Sequence, residues 1–440
     1  MYTLYSILAV VAVLLASPWL LYQALRYRKY VASLPQRLGL LPVSLNIDGE
    51  RTIWVHAVSV GEVLSTRPLL AALRARYPEL RLVLTTTTMA GQQLARRTVR
   101  EADEVFFFPF DLGPIVRRTL DVVKPRLFVT VETELWPVLL RECRRRGVKT
   151  MVVNGRLSSR SFPRYRLVRP FMRRVLQDVD RLCVQSEESA RRFVEIGADP
   201  ARITVTGSLK FDAVEAGAGA RGRDRVLRYF RFPGTRPVFV AGSTMRGEEA
   251  AVLRAFRRVR ASVPATLLLI APRHPERFDE VEQLCREEGW KTQRRTVLAI
   301  DAEPAADVVV LDTIGELATL YQVATVVFVG GSLVPTGGHN VLEPAVFGKP
   351  IVFGPYMDNF REIADACVAA EAAVRLEVEG QLEREVVQLL TDPVKRARLG
   401  AAARALVDAN RGAKDRTMSV IEALVPPAGT SKVVPFRPIA

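Results

Sequence analysis

The stretch Thr52–Thr87, TIWVHAVSVGEVLSTRPLLAALRARYPELRLVLTTT, decides the fold. Its two ends, TIWVHAV and RLVLTTT, are short apolar runs rich in β-branched residues, as strands buried on both faces are. Between them LSTRPLLAALRARYP repeats apolar residues at three- and four-residue spacing, the period of a helix with one buried side. Two such strands joined through a helix form a crossover unit, which makes them parallel. The alternation continues through RLFVTVE, TMVVNG, RLCVQS and ITVTGS, then resumes in PVFVAGS, TLLLIAP, VVVLD, TVVFVGG and PIVFG. Between the two series lies KFDAVEAGAGARGRDR (Lys210–Arg225), poor in large apolar residues and rich in Gly and charge. The reading is α/β: two doubly wound domains, 46–208 and 237–408, joined by a linker over 209–236. A ligand is expected in the cleft between them, outside the carboxyl ends of the strands.

Composition agrees with two cores. The chain has 440 residues, 49% hydrophobic and 8% aromatic, which excludes disorder and, at roughly 150 residues per domain, predicts two or three domains. Four cysteines, Cys143, Cys183, Cys285 and Cys367, stand far apart, so the pattern is neither a disulfide framework nor a zinc site, and a reducing compartment fits it. From Met1 to Leu25 there is no charge, and Arg26, Arg28 and Lys29 follow at once. That run is long enough for a membrane helix, and a cleaved signal peptide would carry its basic residues ahead of the apolar run. Residues 1–30 are therefore expected to be an uncleaved anchor with everything downstream cytoplasmic, and 426–440 a loose tail.

The formal net charge is +16, and it is unevenly placed. Arg141 to Arg174 holds twelve basic residues against one acid, Glu142, a density suited to a polyanion. Beside an anchor, the expected polyanion is an acidic lipid headgroup or a phosphorylated lipid substrate; aromatic residues interleaved for nucleic acid are sparse. Gly217, Gly219 and Gly222 spell G-x-G-x-x-G, but no strand precedes them, and Asp178 with Asp180 form a D-x-D ahead of a strand, where it reads as a solvated turn.

The strand ends carry the chemistry. His56, His274 and His339 each lie at or just after one, which places all three among the ligand-facing loops. In HAVSVGE (His56–Glu62), Ser59 is a helix cap and Glu62 lies in the first turn. A carboxylate there either complements the helix dipole, worth about 0.3–1 kcal/mol, or acts as a general base, and the pattern alone favours the first. VTVETELWP (Val129–Pro137) ends a buried strand on Glu132 and Glu134, whose desolvation calls for a partner or a use. GSLKFD (Gly207–Asp212) presents Lys210, either as that partner or as a solvated hinge lysine. AGSTMRGEE, APRHPER, LDTIGEL and VGGSLVPTGGHNVLEPAVFGKP all leave strands directly, the last entering a helix near Asn340. Glycines, helix openings and Arg273 suit a phosphate, so the second domain is expected to hold a nucleotide.

Taken in order, the uncharged N-terminus, SVGE (Ser59–Glu62), ETELWP (Glu132–Pro137), NGRLSSRSFPRY (Asn154–Tyr165), GSLKFD, GST-x-x-GEE, PRHPER, DTIGEL and GGHNVLEP resemble the Kdo transferases, the 3-deoxy-D-manno-oct-2-ulosonic acid transferases of lipopolysaccharide synthesis. The resemblance runs from the N-terminus to about Asp408. It implies the GT-B glycosyltransferase fold, two Rossmann-like domains facing a cleft behind an N-terminal transmembrane helix. It also implies inverting transfer of Kdo from CMP-Kdo to the lipid A precursor (lipid IVA) at the inner membrane.

The same resemblance makes Glu62 the general base, against the pattern-only preference, and gives Glu132 and Lys210 the support of the transition state. It assigns the CMP moiety to Pro272 and Arg273, to Ile314, Gly315 and Glu316, and to Asn340, Val341, Leu342 and Glu343. The family commonly has Met where this chain has Ile314, an apolar residue of similar size. No metal or other cofactor is expected, since a monophosphate leaving group can be met by cationic and amide donors. The implied partners are CMP-Kdo, the lipid A precursor and anionic inner-membrane lipid, with no nucleic acid. Two rival readings remain at this level: a two-domain transferase using a UDP-sugar, and a non-catalytic protein binding anionic lipid or nucleic acid through Arg141–Arg174.

Overall fold

The structure, a computed structural model, describes residues 33–46, 48–159, 161–214, 236–299 and 303–427, with positions 2–7, 10, 11, 15, 18 and 228. Most of the expected anchor over 1–30, the G-x-G-x-x-G glycines, most of the linker and the tail from 428 lie outside these residues. Among the described residues no helix is long and apolar enough to cross a membrane.

The chain forms two compact units, residues 1–213 with 411–440, and residues 214–410. In the first, β1 (Thr52–His56), β2 (Arg81–Thr86), β3 (Glu104–Phe107), β4 (Pro125–Val131), β5 (Lys149–Gly155), β6 (Arg181–Val184) and β7 (Ile203–Val205) make one parallel sheet. Its order is β3-β2-β1-β4-β5-β6-β7. The second unit repeats the plan with β8 (Val238–Thr244), β9 (Leu267–Pro272), β10 (Thr292–Arg294), β11 (Val308–Val310), β12 (Val326–Val329), β13 (Ile351–Phe353) and β14 (Ala373–Arg375), in the order β10-β11-β9-β8-β12-β13-β14.

Side-chain alternation explains why helices cover both faces. Along β1, Ile53 and Val55 join Leu82, Leu84, Leu127 and Val129 in one core, while Trp54 joins Val83, Phe106, Phe128 and Val152 in the other. Each such side chain, removed from water, contributes about 1.5–3 kcal/mol. The helices that matter below are α1 (Val60–Arg76), α2 (Pro137–Arg145), α3 (Phe162–Leu167), α4 (Arg169–Gln177) and α5 (Leu209–Asp212) in the first unit. The second supplies α6 (Glu248–Ser262), α7 (Leu317–Leu320), α8 (Leu342–Ala345) and α9 (Pro393–Asn410).

Beyond Asp408, where the sequence reading ends the second domain, the chain returns to the first unit as α10 (Ala413–Leu424). Ala413, Met418 and Ile421 enter its core, and the Asp212 carboxylate accepts the amides of Gly412 at 2.7 Å and Lys414 at 2.6 Å. Three strands absent from the sequence reading, β3, β10 and β14, are all sheet edges. Each is three or four residues long and partly exposed, so the apolar run that marks an interior strand is missing.

Candidate functional site

The chain switches to the other side of its first strand between β1 and β4 in the first sheet and between β8 and β12 in the second. Loops leaving the carboxyl ends of such a pair depart to opposite faces and open a crevice, the place where doubly wound sheets hold ligands.

At the first, Ser59 caps α1, and Glu62 occupies its first turn, nearly closed off from solvent. The Glu62 carboxylate turns back on the loop: Oε2 accepts the Val58 amide at 2.8 Å and Oε1 the Ser59 hydroxyl at 3.0 Å. This is close to a capping box, so the dipole reading is right as far as local structure goes. Burial, the neighbouring charge of Glu132 and that of Glu134 nevertheless raise the Glu62 pKa to about 7, against the pull of those two hydrogen bonds. A carboxylate poised there can exchange a proton at neutral pH.

Glu132 follows β4 with φ +60, a left-handed conformation that costs a non-glycine residue about 1 kcal/mol or more. Its amide donates to Val153 O at 2.9 Å, and its Oε1 meets the Lys210 ammonium at 3.2 Å. Lys210 therefore answers Glu132 rather than standing in water as a hinge. Lys210 reaches it from α5 because Asn154, also left-handed at φ +55, accepts the Leu209 amide on its side-chain oxygen at 3.0 Å. Sequence reasoning assigned Asn154 no role of its own; the signal lay in NGRLSS, a buried amide at the end of an apolar strand. Glu134 is raised in pKa by burial and by Glu132.

At the second crevice, Arg273 leaves β9 exposed and without a salt bridge among the described residues. It lies close enough to Glu343 and His339 to shift both. Glu343 is pushed by burial to about 7, against the hydrogen bond from Asn340 Nδ2 at 3.3 Å and the charge of Arg273. His339 is lowered to about 4 by burial, then by Arg273 and His274, so it is neutral at pH 7. Asn340 also closes a turn just before α8, its Oδ1 accepting the Leu342 amide at 3.1 Å. One loop along the edge, Ile314 is 83% exposed, Gly315 has φ +91 with open space around it, and Glu316 pairs with Arg295 at 3.0 Å.

Several expectations change. The helix entered near Asn340 has only four residues, too few for a substantial dipole, and one of its opening amides is already taken by Asn340. The side chains of Val341 and Leu342 point into the core, so any ligand contact there is through backbone. Of the three histidines, His56 leaves the set: its ring is buried and stacked on Phe108 with centroids 3.8 Å apart, Nδ1 bonds to Thr85, and burial lowers its pKa to about 3. Asp178 and Asp180 do lie in a turn, but a partly buried one whose carboxylates are engaged within the protein. Asp180 accepts the Thr150 amide at 2.9 Å and Asp178 pairs with Arg144 at 3.3 Å, at the amino end of β5 and β6, away from the crevice.

Part of the basic segment lines a groove of about 850 Å³ between α2 and α4, bordered by Arg141, Arg144, Arg169, Arg173 and Arg174 with Asp178 as its one acid. The Arg141 guanidinium lies 4.2 Å over the ring of Tyr2, and the Tyr5 hydroxyl donates to Asp111 at 3.1 Å, which brings the start of the uncharged N-terminal run beside this groove. Leu167 and Val168, where α3 gives way to α4, are exposed on the same segment.

Comparison with known proteins places these features in a family. The profile of the family described as 3-Deoxy-D-manno-octulosonic-acid transferase (kdotransferase) matches residues 32–213. The 3-deoxy-D-manno-octulosonic acid transferase of Haemophilus influenzae is 32% identical over 398 residues, 90% of this chain and 92% of the relative. That of Bordetella pertussis is 33% identical over 407 residues, 88% and 91% of the two chains. Among solved structures, a glycosyltransferase from Rickettsia africae aligns with a TM-score of 0.55 over 86% of this chain and 99% of its own, at 11% identity, a likeness of fold that agrees with the GT-B architecture of two parallel-sheet α/β domains.

Proposed function

The chain belongs to the 3-deoxy-D-manno-octulosonic acid transferase family, and from that premise we propose that it transfers Kdo from CMP-Kdo to the lipid A precursor, with inversion, as a step of lipopolysaccharide core synthesis. The observation that carries the reading is Glu62, a carboxylate with hydrogen-bond donors but no cationic partner among the described residues, raised to about 7 at the first switch point. An acceptor hydroxyl must lose a proton as it attacks the ketosidic carbon, and a base near neutrality takes it most effectively. Glu62 is that base. The Lys210 and Glu132 pair supplies a fixed cation beside it, supporting the charge that develops in the transition state.

Donor recognition falls to the second unit. The cytidine monophosphate leaves with additional negative charge, which Arg273 meets with charge-assisted hydrogen bonds. Pro272, Ile314, Gly315 and the Asn340–Glu343 turn shape the remainder of the nucleotide site, and Glu316 is held in place by Arg295. The N-terminal uncharged run anchors the protein at the inner membrane with both units on the cytoplasmic side, and the arginine groove beside it meets acidic lipid headgroups.

The test is transfer from CMP-Kdo to tetraacyl lipid A precursor in the presence of a chelator, comparing the wild type with Glu62→Gln. Turnover by the wild type alone is expected, with CMP affinity equal in both proteins. Turnover with a UDP-sugar in place of CMP-Kdo would instead support the rival donor class, and undiminished turnover by Glu62→Gln would remove the base.

A further inference from the structure

Glu248 opens α6 and is completely buried, yet no cation faces it among the described residues. Its carboxylate is satisfied by backbone alone. Oε2 accepts the amides of Met245 at 2.8 Å and Gly331 at 2.7 Å, and Oε1 those of Ser332 at 2.9 Å and Leu333 at 2.8 Å. Four donors fill the lone pairs of one carboxylate. The donors belong to the two loops that leave β8 and β12, the strands of the second switch point. The loop leaving β12 starts backbone to backbone against the end of β8: the Gly330 amide donates to Gly242 O at 2.8 Å, and a Cβ on Gly330 would stand 2.6 Å from Ser243 O.

The bonding continues past Glu248. Gly331, left-handed at φ +66, gives its amide to the carboxylate, while its carbonyl accepts the Gly338 amide at 2.7 Å and the Thr336 hydroxyl at 2.9 Å. Gly338 is followed by His339 and Asn340, the head of the turn that bears Glu343. A buried charge in the sheet crevice is thereby linked, through one residue, to the turn that faces Arg273. Three successive amides converging on one anion form a nest of the sort that elsewhere binds phosphate. Here the protein's own carboxylate fills it, so the donor phosphate has to be met on the Arg273 and Asn340 side.

We propose that Glu248 is a positioning residue of the donor site: through Gly331 it fixes the Gly338–Glu343 turn in the conformation that receives the nucleotide. The proposal rests on the reading of that turn as the CMP site. Replacing Glu248 by Gln keeps the shape but turns an NH2 group toward amides that need an acceptor, which loosens both loops.

The experiment compares the full-length wild type and Glu248→Gln by amide deuterium exchange without ligand, by calorimetry with CMP, and by KM for donor and acceptor. Exchange at 331–333 and at 338–343 is expected to quicken at least tenfold. The CMP Kd and the donor KM should rise about tenfold, with acceptor KM at the wild-type value. Unchanged exchange at 338–343 overturns the relay, and quickened exchange with unchanged CMP affinity overturns its link to donor binding. A wild type that fails to bind CMP overturns the donor reading instead, while the exchange measurement still decides the relay. Should Glu248→Gln not fold, Gly331→Ala interrupts the same chain one link later, its Cβ meeting the His339 ring at 2.9 Å; wild-type CMP affinity in that variant overturns the proposal by itself.

Discussion

Lys210 Nζ lies 3.2 Å from Glu132 Oε1, and this pairing separates the two carboxylates that end β4 and begin α1. Glu132 has the cation, whereas Glu62 has only the Val58 amide and the Ser59 hydroxyl. Neighbouring acids given different surroundings take different roles, and in the proposed reaction the unpaired one is the proton acceptor.

The pH dependence of turnover follows from this. A base must be deprotonated to act, so kcat/KM should fall on the acid side with an apparent pKa near 7 and level off above it. Because the charge of Glu132 helps to raise Glu62, Glu132→Gln should move the acid limb to lower pH even as it lowers the maximum rate. A pH–rate profile on both proteins reads this, and a limb that stays in place or moves up would sink the assignment.

Stability should move opposite to activity. An acid whose pKa rises from 4.5 to about 7 on folding favours the folded state most below the unfolded value, and that contribution is lost as pH climbs through 7. At pH 8 the buried charge therefore costs roughly 3 kcal/mol, at 1.36 kcal/mol per pKa unit. Glu62→Gln relieves it but weakens the cap by about 1 kcal/mol. The inactive variant should be more stable than the wild type by about 1–2 kcal/mol at pH 8 and no more stable at pH 4.5. Urea unfolding at the two pH values checks the sign.

Arg273 faces Glu343 and His339 and forms no salt bridge among the described residues. Arg273→Ala should raise the donor KM and the CMP Kd by about 10- to 100-fold, the worth of a charge-assisted hydrogen bond of 1.5–3 kcal/mol. Acceptor KM should stay as it is. Calorimetry with CMP on the variant is sufficient, and a change under threefold would contradict the role.

Gly242, within β8, packs against the buried hydroxyl of Tyr321, and a Cβ there would overlap that oxygen. Gly242→Ala should destabilise the second unit by about 1–3 kcal/mol through overpacking. Removing the obstructing hydroxyl with Tyr321→Phe should restore much of the loss in the double variant. Thermal unfolding of the two single variants and the double variant measures the coupling, and additive losses would show that the contact is not the cause.

Much of this was legible before any coordinates. The interior strands announce themselves because a strand buried on two faces must be apolar at every position, as TIWVH is, and the helices because one buried stripe imposes a period of 3.6. The edge strands β3, β10 and β14 escaped, since a strand paired on one side needs little apolar surface. His56 was misplaced for a related reason: sequence locates it at a strand end but not on which face of β1 it falls, and that face is the aromatic core of Phe108 and Trp136.

By itself, then, the sequence determined the two parallel sheets, which strand ends carry polar groups, and which residue types stand there, because hydrophobic period and chain order are local properties. Only the tertiary structure decided which of those groups meet. Lys210 and Glu132 are far apart along the chain, Glu248 and Gly331 farther still; the first pair forms because Asn154, after β5, holds the segment that follows edge strand β7, and the second because the switch point sets β8 beside β12. The raised pKa of Glu62 has the same origin: it comes from burial and from the charges of Glu132 and Glu134, which no window of sequence around Glu62 contains.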